Sequence, residues 1–309
     1  MNDTAMIGVD WGTSSLRLWR IHQSGEILES RHFELGILRV VDRAYLDTFA
    51  SAAQGWLSPD IPILMSGMIG SREGWIEAPY IACPTDASSL ADSLTQIPEL
   101  PNAYIVPGLA VHAPDGRHDV MRGEEAQILG VSKSAGRMLF VMPGTHSKWV
   151  LLEDGGIRDF QTFMTGELFE ILRTHSILGK SMQVSADPEA HPKTEQYFLA
   201  GVDKTSLGLE EAIMQSLFSV RATALAGQLC PNVAPAYLSG LLVGAELREG
   251  LRLAKRWGIA SPHPVIVGAE SLSRKYQSAF AQHGCGAELA CQQLAAGGLW
   301  KIAKQRGMV

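Results

Sequence analysis

Two short stretches of this 309-residue chain carry the same pattern at widely separated places. Val9-Asp10-Trp11-Gly12-Thr13-Ser14-Ser15 lies near the start, and Val141-Met142-Pro143-Gly144-Thr145-His146-Ser147 lies far downstream. Gly12, Thr13 and Ser15 recur as Gly144, Thr145 and Ser147 at identical spacing. Each copy follows an apolar run and precedes another, Leu16 to Ile21 and Trp149 to Leu152. Each therefore reads as strand, tight Gly-Thr turn, strand. Two such turns facing each other suit the grip of a polyphosphate from both sides. One copy carries an acidic residue, Asp10; its positional match in the other is Met142.

The surroundings repeat as well. Ile7 to Asp10, Leu16 to Ile21 and Ile27 to Phe33 form one predicted β-meander. Met138 to Met142, Trp149 to Leu152 and Gly156 to Thr162 form a second. Helical spacing covers Tyr45 to Leu57 and Glu124 to Val131 after the first meander. After the second it covers Gly166 to Thr174, Leu209 to Leu229, Ser239 to Arg256, Ser271 to His283 and Leu294 to Gln305. Apolar runs at Ile61 to Met65, Ala103 to Val106 and Val265 to Val267 read as short buried strands. A meander followed by alternating helices and strands, twice, predicts an α/β chain of two related lobes, 1–135 and 136–309. The last helix, about 293–309, is expected to pack back on the first lobe.

Apolar residues make up 46% of the chain and charged residues 19%, which allows a substantial core. A net charge of −6 offers no attractive field to nucleic acid or an anionic membrane. A small anionic substrate must then be held by local donors. Cys83, Cys230, Cys285 and Cys291 form no C-x-x-C pair, so scattered reduced thiols are expected rather than zinc or a disulfide framework. No basic segment followed by an apolar stretch opens the chain, and no apolar run reaches membrane-spanning length. A cytoplasmic protein, monomer or homodimer, is expected.

The chemistry sits in the turns. Gly12 permits close backbone approach, and Thr13, Ser14 and Ser15 add hydroxyls and N–H groups suited to phosphate oxygens. Asp10 ends the strand with a carboxylate aimed at the same place, a usual way to hold Mg²⁺ beside phosphates. A plain hairpin whose Thr and Ser satisfy the turn explains one copy equally well. The second copy, with Gly144, Thr145, His146 and Ser147, favours a paired cradle. His146 is a candidate phosphate donor or a structural histidine.

Arg122-Gly123-Glu124-Glu125 precedes the second lobe. Gly123 breaks the chain and Glu124 opens a helix, whose dipole keeps a first-turn carboxylate ionised. That carboxylate serves either as a base for a hydroxyl proton or as ordinary dipole complementation. In the loop Ser66 to Trp75, Arg72 suits bidentate capture of a carboxylate and Trp75 suits one wall of a sugar-sized pocket. A surface loop with an incidental Arg is the alternative. Thr165 is a candidate N-cap and, with Glu167, a candidate ligand contact. Val265 to Ser271 reads as strand, Gly268, helix start; such a glycine lets a flat ring lie on the backbone, or serves a plain turn.

Together these strings resemble the actin, hexokinase and heat-shock-70 ATPase superfamily, and within it the 2-dehydro-3-deoxygalactonokinase family. The likeness is carried by Val9 to Arg17, Gly67 to Trp75, Ala78-Pro79-Tyr80, Met121 to Glu125, Pro143 to Trp149 and Phe163 to Phe169. It implies a ribonuclease H-like fold in which the two turns are phosphate loops and Gly268 lies in an adenosine motif. It implies phosphorylation of the C6 hydroxyl of 2-dehydro-3-deoxy-D-galactonate by ATP with Mg²⁺, in galactonate breakdown. It also supplies a sugar-acid carboxylate for Arg72 to clamp. Phosphate-2 loops of the superfamily often carry an acidic residue, where this chain has Met142. With Asp10 needed at the metal, the resemblance leaves Glu124 as base, and Glu125 beside it as the alternative. Rival readings are a kinase for another 2-keto-3-deoxy sugar acid, an exopolyphosphatase-like phosphohydrolase, and a nucleotide-dependent binding protein.

Overall fold

The computed structural model describes residues 4–113, 116–131, 135–183, 191–205, 213–290 and 294–309. The first half of the chain forms β1 (Met6–Trp11), β2 (Leu16–Ile21), β3 (Ile27–Phe33), α1 (Tyr45–Ala52), β4 (Ile63–Ser66), β5 (Tyr80–Ala82), α2 (Ala87–Asp92), β6 (Thr95–Ile97), β7 (Leu100–Ile105), β8 (Gly108–His112), β9 (His118–Met121) and α3 (Glu124–Val131). The rest forms β10 (Arg137–Met142), β11 (Ser147–Glu153), β12 (Gly156–Phe163), α4 (Thr165–His175), α5 (Thr194–Lys204), α6 (Ile213–Leu225), α7 (Ala234–Arg256), β13 (Val265–Ile266), α8 (Glu270–Gln282), β14 (Glu288–Leu289) and α9 (Leu294–Gln305). These group into two compact units: Met1–Gly136 with Leu152–Phe160 and Cys291–Val309, and Arg137–Leu151 with Gln161–Ala290.

The first unit is built on a six-stranded sheet in the order β3-β2-β1-β4-β7-β6. β1 sits inside the sheet because it is apolar along its length, with Met6, Ile7, Val9 and Trp11 fully buried. It pairs antiparallel with β2, setting Asp10 opposite Arg17, and parallel with β4, setting Asp10 opposite Ser66. Trp11, Phe49, Trp56 and Trp75 contribute to the core on this sheet. The helix predicted to reach Leu57 ends at Ala52, and the chain turns at Gly55 with φ +80°. A small sheet, β5-β8-β9, leads directly into α3 and so delivers Arg122-Gly123-Glu124. α9 packs against α3, where Lys301 Nζ donates to Leu129 O at 2.7 Å.

A five-stranded sheet runs in the order β12-β11-β10-β13-β14, and its parallel strands β10, β13 and β14 belong to the second unit. Val141, Trp149, Phe198, Leu247, Ile266 and Phe280 form the core of that unit with the help of α5, α7 and α8. α7 starts at Ala234 rather than the predicted Ser239, with Pro235 in a first turn that needs no N–H there. The helix expected over Leu209 to Leu229 is observed as α6 over Ile213–Leu225; it stops short of Leu229 because the chain turns at Gly227 with φ +71°, and positions 206–212 lie outside the described residues, as does Cys291. Cys83, Cys230 and Cys285 are free thiols. Among the described residues, no helix is long and apolar enough to cross a membrane.

Candidate active site

β1 ends at Asp10 and Trp11, and the chain turns at once. Gly12 N donates to Ser15 O at 2.9 Å, and Ile37 N donates to Gly12 O at 3.0 Å. The N–H of Gly12 is thus spent on closing the turn, which leaves Thr13 and Ser14 exposed at its tip. Gly36 buttresses the tip: a Cβ there would sit 2.1 Å from Thr13 O.

Two glycines then bring carboxyl groups together. Gly67 follows Ser66, the register partner of Asp10, and has φ +97°. A Cβ on Gly67 would lie 2.7 Å from Trp11 O and 3.2 Å from Asp10 Oδ1. Gly123, with φ +102°, approaches from α3; its Cβ would come within 3.1 Å of Gly67 Cα. Only glycine at both places lets the loop after β4 and the start of α3 close over the end of β1. Arg122 fastens this closure. Its Nη2 donates to Ala78 O at 2.6 Å, and its buried guanidinium lies 4.4 Å over the Tyr80 ring.

Three carboxyl groups result, in three environments. Asp10 is 14% exposed, and its pKa is raised to about 6. Burial is the main cause, Arg17 Nη1 at 3.8 Å opposes it, and the Glu124 charge adds to it. Glu124 is half-buried and accepts from Arg122 N at 3.1 Å. Glu125 is fully buried and accepts from Gly123 N at 2.7 Å. Burial, and then the Glu124 charge, push the Glu125 carboxyl up to about 8. Neighbouring glutamates therefore differ in kind: Glu125 keeps its proton in the interior, and Glu124 lies within electrostatic reach of Asp10.

The loop after β4 corrects one expectation. Trp75 does not wall a pocket. It is 8% exposed and packs in the core, stacked on Tyr45 at 6.4 Å and tilted against Phe49 at 6.5 Å. Arg72 points outward with an 82% exposed side chain, paired with Glu77 at 3.0 Å. That hydrogen bond, and then the Glu77 charge, raise its pKa.

In the second unit Gly144, Thr145 and His146 repeat the exposure pattern of Gly12, Thr13 and Ser14. Gly166 presses on this turn, where a Cβ would lie 2.4 Å from Gly144 O. Glu167 N donates to Thr145 O at 2.9 Å, which seats the N-terminus of α4 against the turn. His146 Nε2 is hydrogen-bonded to the Glu167 carboxylate at the surface. Gly268 is exposed, and a Cβ on it would lie 3.2 Å from Pro143 O, so the strand-Gly-helix turn abuts the residue before Gly144. A cavity of about 400 Å³ lies between α5 and α8, lined by Thr194, Phe198, Ser271 and Arg274 among others.

Two expectations here are corrected. Ser147 is fully buried, with Oγ 3.2 Å from the Tyr276 hydroxyl, so its side chain faces the core and not a ligand. Thr165 is not the N-cap of α4; Met164 is, without a side-chain cap. Thr165 is instead the buried first residue of the helix, and its hydroxyl bonds to Glu246. Glu246 and Tyr276, which draw these hydroxyls inward, were not singled out from the sequence. The available signal was an acidic residue at a core position of α7, four residues from Leu242 and Gly250.

The family model for 2-keto-3-deoxy-galactonokinase matches residues 10–302. The 2-dehydro-3-deoxygalactonokinase of Escherichia coli (strain K12) is 39% identical over 284 residues, covering 90% of each chain. A crystal structure assigned as a candidate 2-dehydro-3-deoxygalactonokinase from Sinorhizobium meliloti superposes with TM-score 0.83 at 34% identity, covering 97% of this chain and 98% of that one. Component A of the (R)-2-hydroxyglutaryl-CoA dehydratase of Acidaminococcus fermentans superposes with TM-score 0.51 at 11% identity, covering 98% of both chains. At that identity the likeness speaks for fold alone, the α/β fold of actin-like ATPases. The chain belongs to the 2-keto-3-deoxy-galactonokinase family.

Proposed function

We propose that this chain transfers the γ-phosphoryl group of ATP to the C6 hydroxyl of 2-dehydro-3-deoxy-D-galactonate, with Glu124 as general base. The observation that supports the reading is the close approach of Gly123 to Gly67, which brings Glu124 within electrostatic reach of Asp10. The rival base, Glu125, is sealed and ionises only near pH 8. A base must reach the proton it takes and be ionised when it does so.

Asp10 suits a divalent cation. It is an oxygen donor at a strand end, with Arg17 at 3.8 Å and the Glu124 carboxylate within electrostatic reach. Mg²⁺ usually takes one or two carboxylates, several waters and phosphate oxygens rather than a full protein cage. Mg²⁺ held by Asp10 would neutralise phosphate charge.

The chain's own residues do the rest. In the first unit the exposed Thr13 and Ser14 are suited to phosphate oxygens, and in the second unit the exposed Thr145 and His146 are suited to them as well. The cavity between α5 and α8 takes the adenosine; its volume is in the range of small-ligand sites. Arg72 takes the sugar-acid carboxylate. Its present pair with Glu77 is a surface ion pair of little net worth, so exchange costs little. Glu124 accepts the C6 hydroxyl proton as that oxygen bonds to the γ-phosphorus and the bond to ADP breaks. Such catalysis is mostly positioning and charge neutralisation. The reading includes a cytoplasmic enzyme that needs neither nucleic acid nor membrane.

The test is ADP release from ATP, coupled to a colour change, against a panel of 2-keto-3-deoxy sugar acids differing at C4. Turnover that depends on the galactonate-derived acid supports the proposal. ADP release that no sugar acid alters overturns it.

A further inference from the structure

Under the second Gly-Thr turn lies a buried carboxyl group that no step above uses. Glu246, in the middle of α7, is 3% exposed. Its Oε1 accepts the indole N–H of Trp149 at 2.9 Å, and its Oε2 accepts the Tyr276 hydroxyl at 2.6 Å. The Tyr276 oxygen lies 3.2 Å from Ser147 Oγ. With the Tyr276 proton committed to Glu246, Ser147 is the donor in that pair. The Thr165 hydroxyl joins the same carboxyl group. One side chain thus ties together β11, α4, α7 and α8.

The location matters more than the number of bonds. Ser147 directly follows His146, and Thr165 stands two residues before Glu167. The network therefore holds both sides of the turn that presents Gly144, Thr145 and His146. Stability alone does not call for it: apolar side chains of similar volume often serve a core as well as buried charge does. Burial raises the pKa of the Glu246 carboxyl, and the hydrogen bonds from Thr165, Tyr276 and Trp149 pull against that rise. A fully connected polar network of this kind specifies one geometry.

We propose that Glu246 is a positioning residue for nucleotide binding: through Ser147, Trp149, Thr165 and Tyr276 it fixes the turn that holds ATP phosphates. The inference rests on reading that turn as a phosphate site.

Two variants test it. E246Q keeps the volume but offers an N–H where Tyr276 donates, so Tyr276 turns its proton to Ser147 and the order of donors reverses. Y276F removes the hydroxyl that relays Glu246 to Ser147. For each, the KM for ATP, the KM for the sugar acid, kcat and the unfolding temperature are measured. Calorimetric binding of a non-hydrolysable ATP analogue needs no turnover and completes the set. Both variants should weaken nucleotide binding about tenfold, with the sugar-acid KM within about twofold, as loss of a hydrogen bond to a charged group would do. Unchanged nucleotide binding in both variants overturns the proposal, whatever the unfolding temperature. An equal rise in both KM values also overturns it, because that marks general loosening. A parent enzyme without sugar-acid-dependent turnover, whose variants still lose nucleotide binding, refutes the kinase reading and leaves the positioning role standing.

Discussion

Gly67→Ala probes the contact on which the site depends. Gly67 has φ +97° and ψ −162°, a region that is essentially glycine-only. Holding alanine there costs on the order of 1–3 kcal/mol. The new methyl would also lie 2.7 Å from Trp11 O. That carbonyl belongs to β1, which is paired on both sides by β2 and β4 and cannot retreat. Overpacking of that kind adds roughly 1–3 kcal/mol. The total, about 2–6 kcal/mol, is a large part of the 5–15 kcal/mol that keeps a typical domain folded. At about 2–4 °C per kcal/mol, the unfolding temperature should fall by roughly 5–20 °C. The methyl would also lie 3.2 Å from Asp10 Oδ1, so turnover of the folded fraction should fall in the cold as well. Gly55 separates the two contributions: its φ is +80°, with nothing within 4 Å of an added Cβ. Gly55→Ala should cost only about 1–2 kcal/mol and leave kcat unchanged. Circular dichroism melts and the coupled assay at low temperature read both effects. If Gly67→Ala melts with Gly55→Ala and keeps full kcat, the close approach over Asp10 is not what builds the site.

Other expectations follow from the same residues. Glu125 ionises near pH 8 when folded and near 4.5 when unfolded, so its contribution to stability is full below pH 4.5 and is lost as pH rises through about 8. Denaturant titrations of Glu125→Gln between pH 5 and 8 should therefore show the variant gaining on the parent by roughly 1 kcal/mol per pH unit; a constant gap would contradict this. Trp75→Ala should cost about 3–5 kcal/mol in urea unfolding, as a core aromatic does, with the surviving enzyme keeping its sugar-acid KM. Arg72→Ala should change stability by less than about 0.5 kcal/mol, yet raise the sugar-acid KM in the coupled assay. An unaltered KM would remove Arg72 from the site.

What could be read in advance followed local pattern. The three strands of the first meander and the Gly-Thr turns were legible because apolar alternation and turn glycines act over a few residues. α9 was predicted over Leu294–Gln305 and is observed there, since its apolar face recurs at helical spacing. β5, β8 and β9 escaped notice because strands of three to five residues leave too little periodicity. Ser147 was misread for a different reason. Residues on both faces of β11 are buried, Lys148 and Val150 as well as Trp149, so the strand leaves Ser147 inside, against Tyr276. Motif spacing outweighed strand geometry in that reading. Trp75 sits in a glycine-rich loop, yet its indole packs into the core on Tyr45 and Phe49, a partnership that only the fold creates. The pairing of Gly67 with Gly123 was invisible in sequence, because 56 residues separate partners that only the fold brings together.

The central claim is that Glu124, and not Glu125, takes the hydroxyl proton. Glu124→Gln keeps shape and removes the base, so kcat should fall by about 10²–10⁴ while calorimetric affinity for a non-hydrolysable ATP analogue stays within about threefold. A Glu124→Gln enzyme with near-parental kcat would contradict the account.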